Sequence, residues 1–306
     1  MALAFALALP ALAPNLLVLV ACALLFGAVS GFLDVSMNGH ASEVERRWGA
    51  AIMSSFHGAF SLGGLTGATL GGLIATAGAG PVGQLATAGV LVGILAVASS
   101  FGLGAGSRSE PHEAGLAWPE RAAWALCAIA LFCLMVEGAM ADWTAVYLVT
   151  VVKVSAGAAA SGYAAFSVAM TAGRLTGDAV VRKLGPRLVI AAGGAVAALG
   201  LVASVAVPSF VPATVGFALV GIGLANVAPT VFSAAGRFGK TPSAGMAMVV
   251  SLGYAGFISG PPLIGGIASV FSLRVALGFL AVIAAGVAVT GLQMRAAAPR
   301  SSRPPA

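Results

Sequence analysis

Charge is what this chain lacks most: 15 Lys and Arg and 9 Asp and Glu make up 8% of 306 residues, against 59% hydrophobic ones. Roughly a quarter of a soluble domain's residues are charged, so this composition excludes an ordinary aqueous surface. Cysteine is nearly absent. Cys22, Cys127 and Cys133 fall in apolar runs without C-x-x-C spacing, which excludes a zinc cluster and leaves them as small buried hydrophobes. There is no G-x-x-x-x-G-K-[ST] loop, no H-E-x-x-H and no G-x-S-x-G, so neither ATP-driven transport nor intramembrane proteolysis has residues to stand on. No enzyme activity, cofactor or metal is expected. Met1 to Ala13 resembles a leader by its Ala11-Leu12-Ala13 end, but no basic stretch precedes it, so it is not read as a signal peptide.

What is abundant is apolar length. A bilayer core needs about 20 apolar residues per helix, and such runs occupy 15–36, 51–77, 83–103, 122–150, 158–180, 187–207, 210–234, 242–269 and 273–293, with Met1 to Ala13 too short to span alone. Alternate connections hold Arg46, Arg47, Arg108, Arg121, Arg182, Lys183, Arg187, Arg237, Lys240, Arg295, Arg300 and Arg303, while the opposite set holds only Lys153 and Arg274. That asymmetry puts the first set and the C-terminus in the cytoplasm. The net charge of +6 therefore describes topology, not nucleic-acid binding. Forty-two glycines suit helices that pack closely in lipid.

The only long polar interruption, 104–120, divides the chain into an N-terminal bundle (1–103) and a C-terminal bundle (121–296), followed by a cytoplasmic tail (297–306). Gly63-x-x-x-Gly67 with Gly71-Gly72, and Gly256-x-x-x-Gly260 with Gly265-Gly266, form a weak repeat between the halves. The loop Gly177-Asp178-Ala179-Val180-Val181-Arg182-Lys183-Leu184-Gly185-Pro186-Arg187 is more specific. Asp178 and Arg182 lie one turn apart and can pair, and Gly185 with Pro186 stops the helix.

This loop resembles the G-D-x-x-x-R-x-x-G-x-R signature of the major facilitator superfamily. Three further segments resemble its fucose-permease-like bacterial branch: Gly31-Phe32-Leu33-Asp34-Val35-Ser36-Met37-Asn38, Glu137 to Tyr147, and Asn226-Val227-Ala228-Pro229-Thr230-Val231-Phe232-Ser233. The resemblance implies an all-α fold of two pseudo-symmetric bundles, with the segments above in family helices 4, 7 and 10. In that register Met1 to Ala13 is the end of helix 3, and helices 1, 2 and part of 3 are expected to be missing from this chain. The resemblance also implies proton coupling at the acid in the Asp34 position.

Ionisable groups deep in a membrane helix need a reason to be there, since each costs roughly 2.5–3.5 kcal/mol on insertion scales. The candidates are Asp34, His57, Glu137, Asp142, Arg174 and Asp178. Asp34 and His57 lie at similar depth on consecutive antiparallel helices, with Asn38 one turn from Asp34. A carboxylate facing an imidazole can trade a proton near neutral pH; alternatively Asp34 only bonds Asn38, and His57 only packs. Glu137 lies mid-helix, and Asp142, about 140° round from it, is placed to meet solvent. Trp143 and Tyr147 form an i, i+4 aromatic stripe that either stacks on a sugar ring or belongs to an interfacial belt. Arg174 and Asp178, also i, i+4, are expected to pair within a gating element that includes Arg182 and Gly185. Asn226 and Thr230 flank Pro229, where an opened helix can present polar groups to a solute.

These residues point to a secondary transporter in a bacterial inner membrane, a monomer moving a small polar solute such as a sugar together with protons. Drug or metabolite efflux is one alternative; a non-transporting scaffold or a remnant is another.

Overall fold

A computed structural model describes residues 2–78, 80–101, 121–236 and 242–294. The expected linker 104–120 and tail 297–306 lie outside the described residues. Every regular element within them is helical: α1 (Ala2–Ala6), a 3-10 turn (Leu9–Leu12), α2 (Leu16–Trp48), α3 (Met53–Thr76), α4 (Pro81–Ser100), α5 (Arg121–Thr150), α6 (Ala156–Ala206), α7 (Phe210–Leu224), α8 (Val227–Ala235), α9 (Pro242–Val270) and α10 (Leu273–Gln293). Seven described helices are long and apolar enough to cross a membrane by length and composition.

α6 contains two of the expected spans. Its 51 residues would reach about 77 Å if straight, more than twice a bilayer core of about 30 Å. Gly185 interrupts it at φ 77 and ψ 159, a conformation only glycine adopts without strain, and Pro186 follows with its φ already suited to a new first turn. The packing shows that the chain reverses there. Along the first limb, Gly162 meets Phe217 and Gly173 meets Ala225, so this limb runs parallel to α7; along the second, Gly193 meets Gly223 and Gly200 meets Gly216, so that limb runs antiparallel. Conversely, the single run 210–234 is divided into α7 and α8 by a turn at Ala225 and Asn226. With α6 counted as two limbs, α7 and α8 as one span, and α3 included, the nine expected spans are all present as helices.

Side-chain caps set several ends. Asn15 accepts the Val18 N–H at 3.0 Å ahead of α2, Ser155 caps α6 and Ser272 caps α10. Gly49, left-handed at φ 75, stops α2 well beyond its apolar run.

α5 packs against α9, α6, α10 and α8, and α7 lies against both limbs of α6. None of the most apolar window of α2 is buried against protein, whereas 61% of that of α5 is. Leu17, Phe32, Leu199 and Val282 are among many large apolar side chains turned outward, a surface matched to hydrocarbon rather than water. Cys127 and Cys133 are buried free thiols and Cys22 is partly covered. The glycine repeat is not mirrored in packing: Gly256 and Gly260 press on Leu131 and Met135 of α5, while Gly63, Gly67 and Gly71 have open space before them.

Candidate functional site

The site begins with a missing N–H. Pro229 cannot bond the carbonyl one turn before it, so the Ala225 oxygen lacks a helical donor where α7 gives way to α8. Arg174, on the first limb of α6, fills that vacancy: its Nε donates to the Ala225 carbonyl at 3.4 Å. The same guanidinium donates from Nη1 to Ser61 Oγ of α3 at 2.8 Å and pairs through Nη2 with Glu137 Oε1 of α5 at 3.4 Å. Arg174 is only 6% exposed, and Gly173 brings its helix against Ala225 and Ile222, where any Cβ would collide. One buried cation thus joins α3, α5, α6 and the α7–α8 break.

The expected pairing of Arg174 with Asp178 is not formed; Arg174 takes Glu137, and Asp178 takes the N-terminus of α3. The Asp178 carboxylate accepts the Ser54 N–H at 2.9 Å and the Ser55 N–H at 3.2 and 3.3 Å, together with the Ser55 hydroxyl. First-turn N–H groups have no helical partners and carry the positive end of the helix dipole, so they outcompete an intrahelical cation. Arg182 likewise does not pair with Asp178. Its Nη1 donates to the Ala51 carbonyl at 3.1 Å, just ahead of the same helix.

Glu45 was missed from the sequence. At the far end of α2 and 7% exposed, it accepts the Ile52 and Met53 N–H groups at 3.0 and 2.8 Å and the Ser233 hydroxyl of α8. Two acids from distant parts of the chain therefore hold the first turn of α3. An acid just ahead of a four-residue connection was the available signal. A cavity of about 220 Å³ lies here, with Glu45, Ser54, Asp178, Thr230 and Ser233 in its wall.

Asp34 and His57 do not face each other. Asn38 Nδ2 donates to the Asp34 backbone carbonyl at 3.0 Å, and Tyr254 of α9 lies near the Asp34 side chain. The His57 ring lies 5.6 Å from that of Phe232, its Nε2 buried without a partner, beside the Arg174 charge. The reason lies in the packing: α3 lies chiefly along α6, while α2 lies against α9.

Asn226 and Thr230, both buried, close the helix break from within: Asn226 Nδ2 donates to the Gly173 carbonyl at 3.0 Å and Thr230 Oγ1 to the Asn226 carbonyl at 2.6 Å. Asn226 Oδ1 has no partner. The open aromatic stripe expected of Trp143 and Tyr147 is not formed. Trp143 donates its indole N–H to the Pro261 carbonyl at 3.1 Å, whereas Tyr147 is fully buried, edge-on to Phe217, with its hydroxyl donated to the Ser204 carbonyl at 2.8 Å. Tyr147→Phe is therefore expected to lower stability by about 1 kcal/mol, the worth of one hydrogen bond, and to leave solute uptake unchanged; thermal unfolding and uptake by the same preparation check both halves. Asp142 is exposed.

Residues 1–250 match the family model for the Major Facilitator Superfamily. An uncharacterized MFS-type transporter of Yersinia pestis is 39% identical over 269 residues, covering 87% of this chain and 70% of that protein. Membrane protein MosC of Rhizobium meliloti is 37% identical over 282 residues, covering 90% and 68%. Among solved structures, FucP in the outward conformation superposes with a TM-score of 0.79 at 16% identity, over 96% of this chain and 82% of that one. A variant of the Escherichia coli fucose:proton symporter FucP gives 0.69 at 17% identity with the same coverage. At such identity the likeness to FucP carries the fold.

Proposed function

This chain belongs to the major facilitator superfamily, and from that premise we propose that it is a proton-coupled symporter of a small polar organic solute, a sugar being the first choice. It is a multi-pass membrane transporter rather than an enzyme. On this reading it works as a monomer in a bacterial inner membrane with its C-terminus cytoplasmic, residues 1–103 and 121–296 forming the two bundles that rock about a central solute site.

The observation that carries the proposal is the set of ionisable and polar side chains near the middle of the helices: Asp34 on α2, and Glu137 with Arg174 and Ser61. Charged groups at membrane depth are retained where they move ions or solutes. Asp178 and Glu45, closing on the first turn of α3, form the shut cytoplasmic side in our reading, which leaves the solute path open outward. The superposition on an outward-conformation transporter supports this assignment. Asp34 takes a proton from the outside, the solute binds near Trp143 and Asn38, and the paired acids on the cytoplasmic side separate to release both.

The test is uptake of radiolabelled L-fucose and a panel of neutral hexoses into right-side-out vesicles under an imposed pH gradient. Saturable uptake that collapses with a protonophore is expected. In Asp34→Asn, accumulation should fall at least about tenfold, the size of an ordinary coupling free energy, while exchange of solute down its own gradient persists. Uptake by Asp34→Asn with an unchanged proton dependence would remove Asp34 from the mechanism, and dye extrusion without hexose uptake would favour efflux instead.

A further inference from the structure

The turn between α2 and α3 leaves part of its hydrogen-bonding capacity unused. Gly49 reverses the chain in the left-handed conformation and donates its N–H to the Glu45 carbonyl at 3.0 Å, whereas the Ala50 and Ala51 N–H groups meet no acceptor among the described residues. Beside them opens a cavity of about 340 Å³, walled by Glu45, Arg46, Gly49, Ala50 and Ala51. Glu45 has committed both carboxylate oxygens elsewhere, Oε2 to the Ile52 and Met53 N–H groups and Oε1 to the Ser233 hydroxyl. What the cavity offers is therefore donors: two backbone N–H groups, the Arg46 guanidinium and, reaching one wall from α6, Arg182, whose Nη1 rests on the Ala51 carbonyl at 3.1 Å.

The surrounding charge is one-sided. Arg46 and Arg47 share the single carboxylate of Glu43, and Arg182, Lys183 and Arg187, all exposed around the reversal at Gly185, form no ion pair among the described residues. Apolar side chains stand among these cations. Trp48, the last residue of α2, is 72% exposed, and Leu184 and Leu188 beside the reversal are 45% and 47% exposed. A guanidinium binds phosphate oxygens in a fork of two parallel bonds. An aromatic ring and leucines at the same helix ends fit the boundary between headgroups and acyl chains, a setting that a dissolved anion does not need.

We propose that this recess is the headgroup site of one anionic phospholipid. Its phosphate is held by Arg46, Arg182 and the Ala50 and Ala51 N–H groups, and its chains lead off past Trp48 and Leu184. Two parts of the chain build the site, the α2–α3 turn within 1–103 and Arg182 within 121–296, so a bound lipid braces the contact between them. Nothing in the inference depends on the solute or on the proton.

The purified full chain in mild detergent is titrated with phosphatidylglycerol or with phosphatidylcholine of the same chains, and retained lipid is counted by native mass spectrometry. Both lipids carry the phosphodiester, but only phosphatidylglycerol leaves its negative charge uncompensated. One phosphatidylglycerol is expected to be retained, with an affinity at least about tenfold above that for phosphatidylcholine. Arg46→Gln and Arg182→Gln should each weaken it about fivefold, the worth of one basic side chain at a membrane surface. Arg46→Lys, which keeps the charge, should stay within about twofold of the parent and so separates a lost contact from a lost fold. Lys153→Gln, in the α5–α6 connection, should leave retention unchanged. Inorganic phosphate and glycerophosphoglycerol, the same headgroup without chains, should displace none of the lipid in millimolar excess. Equal retention of the two lipids would overturn the assignment, as would losses in Arg46→Gln and Arg182→Gln no larger than in Lys153→Gln. Displacement by inorganic phosphate would also overturn it, by making a dissolved anion the occupant.

Discussion

Arg174→Met is expected to lower the stability of the folded bundle by about 3–5 kcal/mol and to abolish transport. Removing one member of a buried ion pair leaves the other charge without compensation, and that loss is larger than the net worth of the pair. Here the loss is threefold: Glu137, its side chain mostly covered, is left without its cation, Ser61 loses a partner, and the Ala225 carbonyl, already deprived of its helical donor by Pro229, becomes an orphan. In detergent or nanodiscs the unfolding midpoint should fall by at least about 6 °C. The double variant Arg174→Met with Glu137→Leu separates stability from function. Apolar side chains of similar volume can replace a buried pair at little expense, so the double variant should recover most of the lost midpoint and remain inactive. Were the single variant to unfold within about 1 °C of the parent, the ion pair seen here would contribute little to the fold.

The spans were legible because apolar length is a local property, and so was the reversal at Gly185, where Gly-Pro-Arg stands between two apolar runs. Partner choice was not. Spacing alone allows Arg174 to pair with Asp178, since i, i+4 neighbours always can. The competing donors for Asp178 are N–H groups of Ser54 and Ser55, more than 120 residues earlier in the chain, and no periodicity reports them. The Asp34–His57 expectation went astray for a related reason: equal depth on consecutive helices brings side chains together only if those helices pack, and α3 leans on α6 instead. Trp143 and Tyr147 are separated by a similar cause. Residues four apart share a face, yet that face is wide enough for one ring to reach α9 and the other to sink between α6 and α7.

Asp178→Asn should open the side we assign to the cytoplasm. A carboxylate that accepts from two backbone N–H groups and a hydroxyl at a helix N-terminus gains from charge-assisted bonding and from the helix dipole. An amide keeps the shape but loses the charge and turns one acceptor into a donor facing N–H groups. About 2 kcal/mol of closure is expected to be lost, which shifts the open-to-closed ratio about thirtyfold. Thr230 reports the change well, because it is 4% exposed and lines the cavity under the latch. In a cysteine-free background carrying Thr230→Cys, alkylation by an impermeant maleimide in inside-out vesicles should accelerate about thirtyfold on adding Asp178→Asn. Glu45→Gln should act in the same direction, since Glu45 holds the same turn from the other side and ties it to Ser233. The two substitutions share one helix terminus, so their effects should not add: once either acid has let go of α3, the other grips a turn that is already free to move. A double variant accelerating by the full product of the two single effects would show instead that the acids act as independent latches.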